Sequence, residues 1–247
     1  MATIKDVAKL AGVSFKTVSR VISRSPYVIC MLRMRSGRKC FGRPRRSNTD
    51  HSIMPGKCEP SATVLAAFRK VGLPIIYLKM GFHADLSDAG PVDAPNRIKH
   101  ALPFAIGTVV RAPDGTESRI LIRDTWNTEI LSELAPLAED IVLYKHRFSG
   151  FYNTELDVIL KQRGVKYLLV AGCTTSVCVE STIRDAMFRD YSCVLLADCT
   201  GEPIGSDYQR SNHEASLLVI QTVLGWVSGS AALLSALEEY PPAKINP

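Results

Sequence analysis

Several absences narrow the reading first. No apolar run in the 247-residue chain approaches the roughly 20 residues that a helix needs to cross a bilayer, which argues against a helical membrane span. The opening residues MATIKDVAKLAG lack the long apolar core of a secretory leader, so a cytoplasmic location is the expectation. The seven cysteines, Cys30, Cys40, Cys58, Cys173, Cys178, Cys193 and Cys199, form no CxxC pair. Their spacing fits no zinc framework, and their odd number does not suit a fully paired disulfide scaffold. Acidic residues are nearly missing from positions 1–58, where only Asp6 and Asp50 face thirteen Lys and Arg. That arm carries +11, whereas the remainder carries −5, so the net +6 hides a basic arm on an acidic body. Wholesale disorder is excluded by the 46% hydrophobic content.

What is present begins with two short helical patterns. Asp6, Val7, Leu10 and Ala11 fit a first helix, Gly12-Val13-Ser14 a turn, and Val18, Val21 and Ile22 the face of a second, with Ser14 as its N-cap. This spacing suits a helix-turn-helix over residues 1–26. The stretch IKDVAKLAGVSFKTVSRVI resembles the headpiece of lactose-repressor-type regulators. The resemblance implies DNA as a partner, with Phe15, Lys16 and Arg20 toward bases and Ser14, Thr17 and Ser19 near phosphates. After Val28 the likeness ends. Residues 27–59 are rich in Arg, Gly, Pro and Ser without a sustained period, and read as a basic linker or an altered first-strand region.

From Pro60 to about residue 240 the pattern becomes alternating helices and strands. Helices are expected over 61–71, 127–134, 153–163, 176–189 and 211–225, and strands over 73–80, 140–145, 165–172 and 193–198. This order predicts an α/β fold, a parallel sheet flanked by helices in a three-layer sandwich, carrying a short helical N-terminal arm. Residues 82–118 read as loop, punctuated by Gly90-Pro91, Ala94-Pro95 and Asp114-Gly115.

The segment VAGCTTSVCVESTIRDA (170–186) is the most informative. A strand ends at Gly172, a polar turn follows, and Cys178 falls in the expected first turn of a helix. Unpaired N–H groups and the macrodipole favour an anion there, either a thiolate or an oxyanion. Together with KHRFSGFYNTELDVIL (145–160), LLADCTGE (195–202) and NHEASL (212–217), this segment resembles the signature of isochorismatase-like cysteine hydrolases. Amidohydrolases acting on ureidoacrylate or biuret look nearest within that family. The resemblance implies hydrolysis of a small amide or ureido substrate with no cofactor and no metal. It assigns Cys178 as nucleophile and Lys145 as its cationic partner. It also implies a cis peptide at Cys173–Thr174 that presents the Thr174 and Cys178 N–H groups to an oxyanion. His83, Arg147, Tyr152 and Asn153 are pocket candidates, and His83, His146 and Asp85 are set aside as a metal cluster. Homo-oligomerisation is expected, with the apolar tail around Trp226 and Leu233-Leu234 as the contact.

One member of the pattern is missing. The family's first strand ends in Asp-x-Gln, whose Asp is the general base. The apolar run YVICML (27–32) places Cys30 at that Asp and Leu32 at the Gln. Asp50, the remaining carboxylate of the linker, fits no strand. The body is therefore expected to lack one strand and the base, as if a repressor-like start had been joined to a hydrolase body.

Overall fold

The computed structural model describes residues 26–31, 55–100, 105–112, 114–205, 209 and 211–238. The helix-turn-helix expectation, with Ser14, Phe15, Lys16, Thr17, Ser19 and Arg20, lies outside the described residues, as does Asp50.

Strand β1 (Pro26–Met31) is followed by helix α1 (Cys58–Lys70), strand β2 (Ile75–Met80), a short helix α2 (Pro95–His100) and a hairpin of β3 (Val109–Arg111) and β4 (Glu117–Arg119). Next come β5 (Ile141–Lys145), α3 (Leu156–Gln162), β6 (Tyr167–Cys173) and α4 (Glu180–Met187). Strand β7 (Ser192–Gly201), helix α5 (Asn212–Val219), strand β8 (Trp226–Ser228) and helix α6 (Ser230–Glu238) complete the order. The main sheet has six parallel strands in the order β5-β2-β1-β6-β7-β8. The order reverses between β1 and β6, and in open parallel sheets such a reversal leaves a crevice at the carboxyl ends of the strands.

The period-2 alternation of buried strands divides the core into two faces. Ile75, Tyr77, Leu169, Ala171, Val194 and Leu196 pack with Val64, Leu65 and Phe68 of α1 and Leu233 and Ala236 of α6. Ile76, Leu78, Leu168, Val170, Cys193 and Leu195 pack with Leu156 and Leu160 of α3, Ile183 and Ala186 of α4, and Ile220 and Leu224 after α5. Fully burying one such side chain stabilises the fold by about 1.5–3 kcal/mol.

The structure corrects several expectations. The sheet does not lack its first strand. The run singled out at 27–32 supplies β1, seated in the middle of the sheet with Cys30 level with Tyr77 on one side and Ala171 on the other. Its apolar run satisfies two ladders at once, and the basic composition that follows does not prevent that pairing. The helix expected over 127–134 is instead two single 3₁₀ turns, Trp126–Thr128 and Ser132–Leu134. Local side-chain bonds compete with a helix there. Thr125 Oγ1 donates to the Ile122 carbonyl and Thr128 Oγ1 to the Thr125 carbonyl. The loop 82–118 holds α2 and β3, and its Asp114-Gly115 signal makes the hairpin turn, with Asp114 Oδ1 accepting from the Thr116 N–H at 3.0 Å. Within the apolar tail Leu233 is 1% exposed, and Trp226, partly buried, packs against the same core cluster.

The helix expected to run to 225 ends earlier. Helix α5 is closed at its start by a capping box between Ser211 and Glu214, then passes into a π turn, Ile220–Leu224. Gly225 follows, and a Cβ there would lie 2.5 Å from the Cys193 carbonyl oxygen. Cys193 is fully buried in β7, so the clash falls on backbone that cannot retreat. Gly225→Ala is expected to lower unfolding stability by about 1–3 kcal/mol, read as a lower urea midpoint. An unchanged midpoint would show that β7 and β8 can separate freely.

Candidate active site

Three strand ends bring the sequence candidates together. Lys145 is the last residue of β5, Cys173 the last of β6, and Cys30 the penultimate residue of β1. All lie at the carboxyl edge of the parallel sheet. Beyond β6 the Cys173–Thr174 peptide is cis, as the resemblance implies. The chain then enters a π turn, Thr175–Val179, before α4 begins at Glu180. Cys178 therefore sits in a widened turn rather than in the first turn of an α-helix. The Thr174 carbonyl oxygen accepts from both the Val177 and Val179 N–H groups at 3.1 Å, which sets the wider spacing.

Lys145 is 1% exposed and its ammonium is fully engaged. Its Nζ donates to the Arg147 carbonyl at 3.1 Å, to the Phe148 carbonyl at 3.0 Å and to Cys178 Sγ at 3.2 Å. An ammonium has three donors, and here the short contacts go to two backbone carbonyls and the Cys178 sulfur, with the Met80 thioether further off at 3.8 Å. The carbonyls fix the amine, and the sulfur is the single partner that chemistry can alter. Among the described residues no carboxylate pairs with this amine.

The turn bearing Cys178 is held from beneath. Thr182 Oγ1 donates to the Cys178 carbonyl at 2.7 Å and accepts from the Gly150 N–H at 2.9 Å, tying the cysteine turn to the segment after Lys145. Glu202, 2% exposed, accepts from the Ser176 N–H at 2.6 Å and from the Ile204 N–H at 2.9 Å. Thr175 Oγ1 and His213 Nδ1 are 3.0 Å apart. Glu202 and His213 both belong to the motifs LLADCTGE and NHEASL, yet neither carries a role in the sequence reading. Their partners are backbone or hydroxyl groups some 30 residues away in sequence, which no local pattern reveals.

The remaining candidates are distributed unevenly. Half-exposed Tyr152 meets His146 edge-on, with ring centroids 5.9 Å apart, and stands 5.2 Å from the Arg147 guanidinium carbon. It lines a cavity of about 520 Å³ together with Arg147, Phe148, Ser149 and Ser176. Asn153 is exposed, at a φ of 51°, and does not line that cavity. His83 is outward-facing. It stands with His146 around Asp88, at 3.8 and 3.9 Å, while the Asp88 carboxylate makes its short contact to Arg123 at 2.7 Å. Asp85 turns instead to the Ser87 N–H. His83 and His146 thus share Asp88, whereas Asp85 is drawn to Ser87.

Three histidines around the site are held below their ordinary range. Burial is the main cause for His100, with the Lys145 and Arg147 charges adding to it. Burial also leads for His146 and His213. Each is therefore neutral when folded, while the unfolded chain takes up the proton near 6.5. Below that pH the unfolded state binds more protons, so stability is full above about 6.5 and falls as the pH drops toward the lowered folded values. A thermal midpoint that declines from about pH 6.5 downward is the expected result, with a shallower decline in His213→Gln. An identical acid profile in that variant would remove His213 from the explanation.

A doubly wound parallel sheet carrying a lysine-paired cysteine at its carboxyl edge is the architecture of α/β cysteine hydrolases. Comparison with known proteins agrees. Residues 55–232 match the Isochorismatase domain, and the chain belongs to the isochorismatase family. It is 37% identical over 183 residues to the ureidoacrylate amidohydrolase RutB of Cronobacter sakazakii, covering 74% of this chain and 75% of that protein. It is 39% identical over 187 residues to the RutB of Methylorubrum extorquens, covering 76% and 72%. Among solved structures, a cysteine hydrolase from Pseudomonas syringae pv. phaseolicola superposes with a TM-score of 0.67 at 27% identity, covering 87% of this chain and 93% of that one. The N-carbamoylsarcosine amidase of Thermoplasma acidophilum shares the fold, with a TM-score of 0.58 at 21% identity over 83% and 96% of the chains. Residues 3–35 separately match the bacterial regulatory proteins of the lacI family. No helix among the described residues is long and apolar enough to cross a membrane.

Proposed function

We propose that the chain is a cysteine-dependent amidohydrolase that cleaves a C–N bond of a small ureido or carbamoyl amide, with ureidoacrylate- and biuret-like compounds as the nearest candidates. The observation that carries this reading is the 3.2 Å contact between the buried Lys145 ammonium and Cys178 Sγ. The Cys178 sulfur attacks the substrate carbonyl carbon and a C–S bond forms. The oxyanion is received by the Thr174 and Cys178 N–H groups, and the C–N bond breaks as ammonia or an amine leaves with a proton. Water then cleaves the acyl-sulfur bond, releasing the acid and returning the thiol. Lys145 Nζ, 3.2 Å from the sulfur, is placed to offset negative charge that develops there during the reaction. The reaction needs no metal or cofactor in this scheme. The experiment is ammonia release from ureidoacrylate and biuret by the full chain, with Cys178→Ala as the control; release that the control retains overturns the reading.

A second reading concerns the arm. The match at residues 3–35 and the +11 charge support DNA contact through Phe15, Lys16 and Arg20. Mobility shifts of duplex DNA should weaken steeply with salt and lose sequence preference in Arg20→Ala. No shift at low salt would end this reading.

A further inference from the structure

Strand β7 does not run evenly beside β6. Val170 of β6 is level with Leu195 and Gly172 with Thr200, so a short step along β6 answers a longer one along β7. The extra residues make a bulge, the kind of irregularity that re-aims a strand end beside a site. The bulge is tied down at Asp198, whose carboxylate accepts from the Ser230 N–H at 2.8 Å where α6 begins. Beyond it Thr200 and Gly201 pair with Gly172 and Cys173, the last residue before the cis peptide. Glu202 is thereby delivered to the foot of the turn that carries Cys178.

The two oxygens of that carboxylate reach different backbone groups. Oε1 accepts from the Ile204 N–H at 2.9 Å, close by in its own chain segment, and Oε2 accepts from the Ser176 N–H at 2.6 Å. The first bond fixes the carboxylate and the second reaches across to the turn. At 2% exposure the group is shielded from water, so neither bond is readily replaced. Ser176 lies midway in sequence between Thr174 and Cys178, whose N–H groups receive the oxyanion in the proposed reaction. A bond that fixes the Ser176 peptide therefore acts on the spacing of both donors, and such donors work only within a narrow range of distance from the developing charge.

We propose that Glu202 is a positioning residue for acylation, its carboxylate holding the Ser176 peptide so that the Thr174 and Cys178 N–H groups meet the oxyanion. The proposal rests on the cysteine-hydrolase reading and adds a residue to it. Glu202 acts through the turn, so its effect falls on steps in which negative charge grows on oxygen and spares the reactivity of the sulfur itself.

Two reagents separate those effects. When p-nitrophenyl acetate acetylates Cys178, the C–S bond forms through an oxyanion and p-nitrophenolate leaves. When iodoacetamide alkylates the same sulfur, iodide leaves a saturated carbon and no oxyanion forms. Both rate constants are read at Cys178 by peptide mass mapping of the full chain, in the parent, Glu202→Gln and Glu202→Ala. Glutamine keeps the shape but offers one acceptor oxygen in place of two. Alkylation is expected to stay within about twofold of the parent, while acetylation slows about tenfold in Glu202→Gln and further in Glu202→Ala. The near-isosteric Glu202→Gln carries the test even where Glu202→Ala fails to fold. Equal slowing of both reactions, slowing of neither, or a parent whose Cys178 is not acetylated would each overturn the role. A failure of the amidohydrolase reading shows separately, as no ammonia release from ureido substrates by a parent whose Cys178 is still acetylated.

Discussion

Cys178→Ala is expected to reduce ammonia release from a ureido substrate by roughly 10³-fold or more while leaving the fold intact. The loss follows from what surrounds the sulfur. Lys145 is buried, and two of its three donors are held by the Arg147 and Phe148 carbonyls. Only the donor to Sγ faces a group that can gain or lose charge. With alanine in place the ammonium remains where it is and nothing is left to attack the carbonyl. The fold should survive, because Cys178 is only partly buried at the edge of its cluster and its turn is held by backbone bonds to Thr174 and by Thr182. Circular dichroism and the urea midpoint should therefore stay close to those of the parent. Retained activity in a folded variant would move the chemistry to another residue.

The second large effect is a gain. Cys30→Asp should raise the turnover rate by about 10²–10⁴-fold, the range by which a positioned general base accelerates proton transfer. Position 30 is one residue from the end of β1, beside the reversal in strand order, with Ala171 of β6 level with it and Cys173 two residues further along that strand. The strand expected to carry the base is thus present and in the sheet, with Cys30 and Leu32 in the sequence where the resemblance implies Asp and Gln. A thiol is a poor proton relay compared with a carboxylate held near a lysine. An unchanged rate in Cys30→Asp would show that the alignment of YVICML with the family's first strand is off register, or that another group carries the proton.

The contrast between the two positions explains what could be read from the sequence and what could not. Cys178, Lys145 and the Cys173–Thr174 junction lie in contiguous motifs, so the residues and their order were legible. The alternating strands 73–80, 165–172 and 193–198 were equally plain, because burial on both faces demands continuous apolar runs. Strand β1 was harder. It is six residues long and is followed by an Arg- and Gly-rich stretch, and what makes it a strand is pairing with β2 and β6, whose residues come 47 and 141 positions later in the register Val28 with Ile75 and Pro26 with Tyr167. The π turn at Thr175–Val179 is indistinguishable in sequence from an ordinary helix start for a similar reason, since its width is set by one carbonyl, that of Thr174, accepting twice. The supports of the site are least legible of all. The carbonyls of Arg147 and Phe148 leave no mark on side-chain chemistry, and Glu202 acts on the Ser176 N–H from the end of β7. Residues 127–134 went the other way: an apolar spacing suggested a helix that threonine hydroxyls bonding to nearby carbonyls break up.

The cavity beside Tyr152 shares a loop with the carbonyls that hold Lys145. The loop after Lys145 turns its carbonyls inward to hold the ammonium and its Arg147 side chain outward to line the recess. One short segment, KHRFSG, thus both holds the Lys145 ammonium and lines the cavity.

In the proposed hydrolysis Cys178 becomes covalently acylated. Without a carboxylate at position 30 to activate water, breakdown of the acyl-enzyme should slow and the intermediate should accumulate. The decisive measurement is acid quenching of the full chain during turnover of ureidoacrylate, followed by peptide mass mapping of all seven cysteines. The predicted result is a mass increase equal to substrate minus ammonia on the peptide containing Cys178 and on no other. Turnover with that peptide unmodified at every time point, or the same adduct on a different cysteine, would contradict the mechanism.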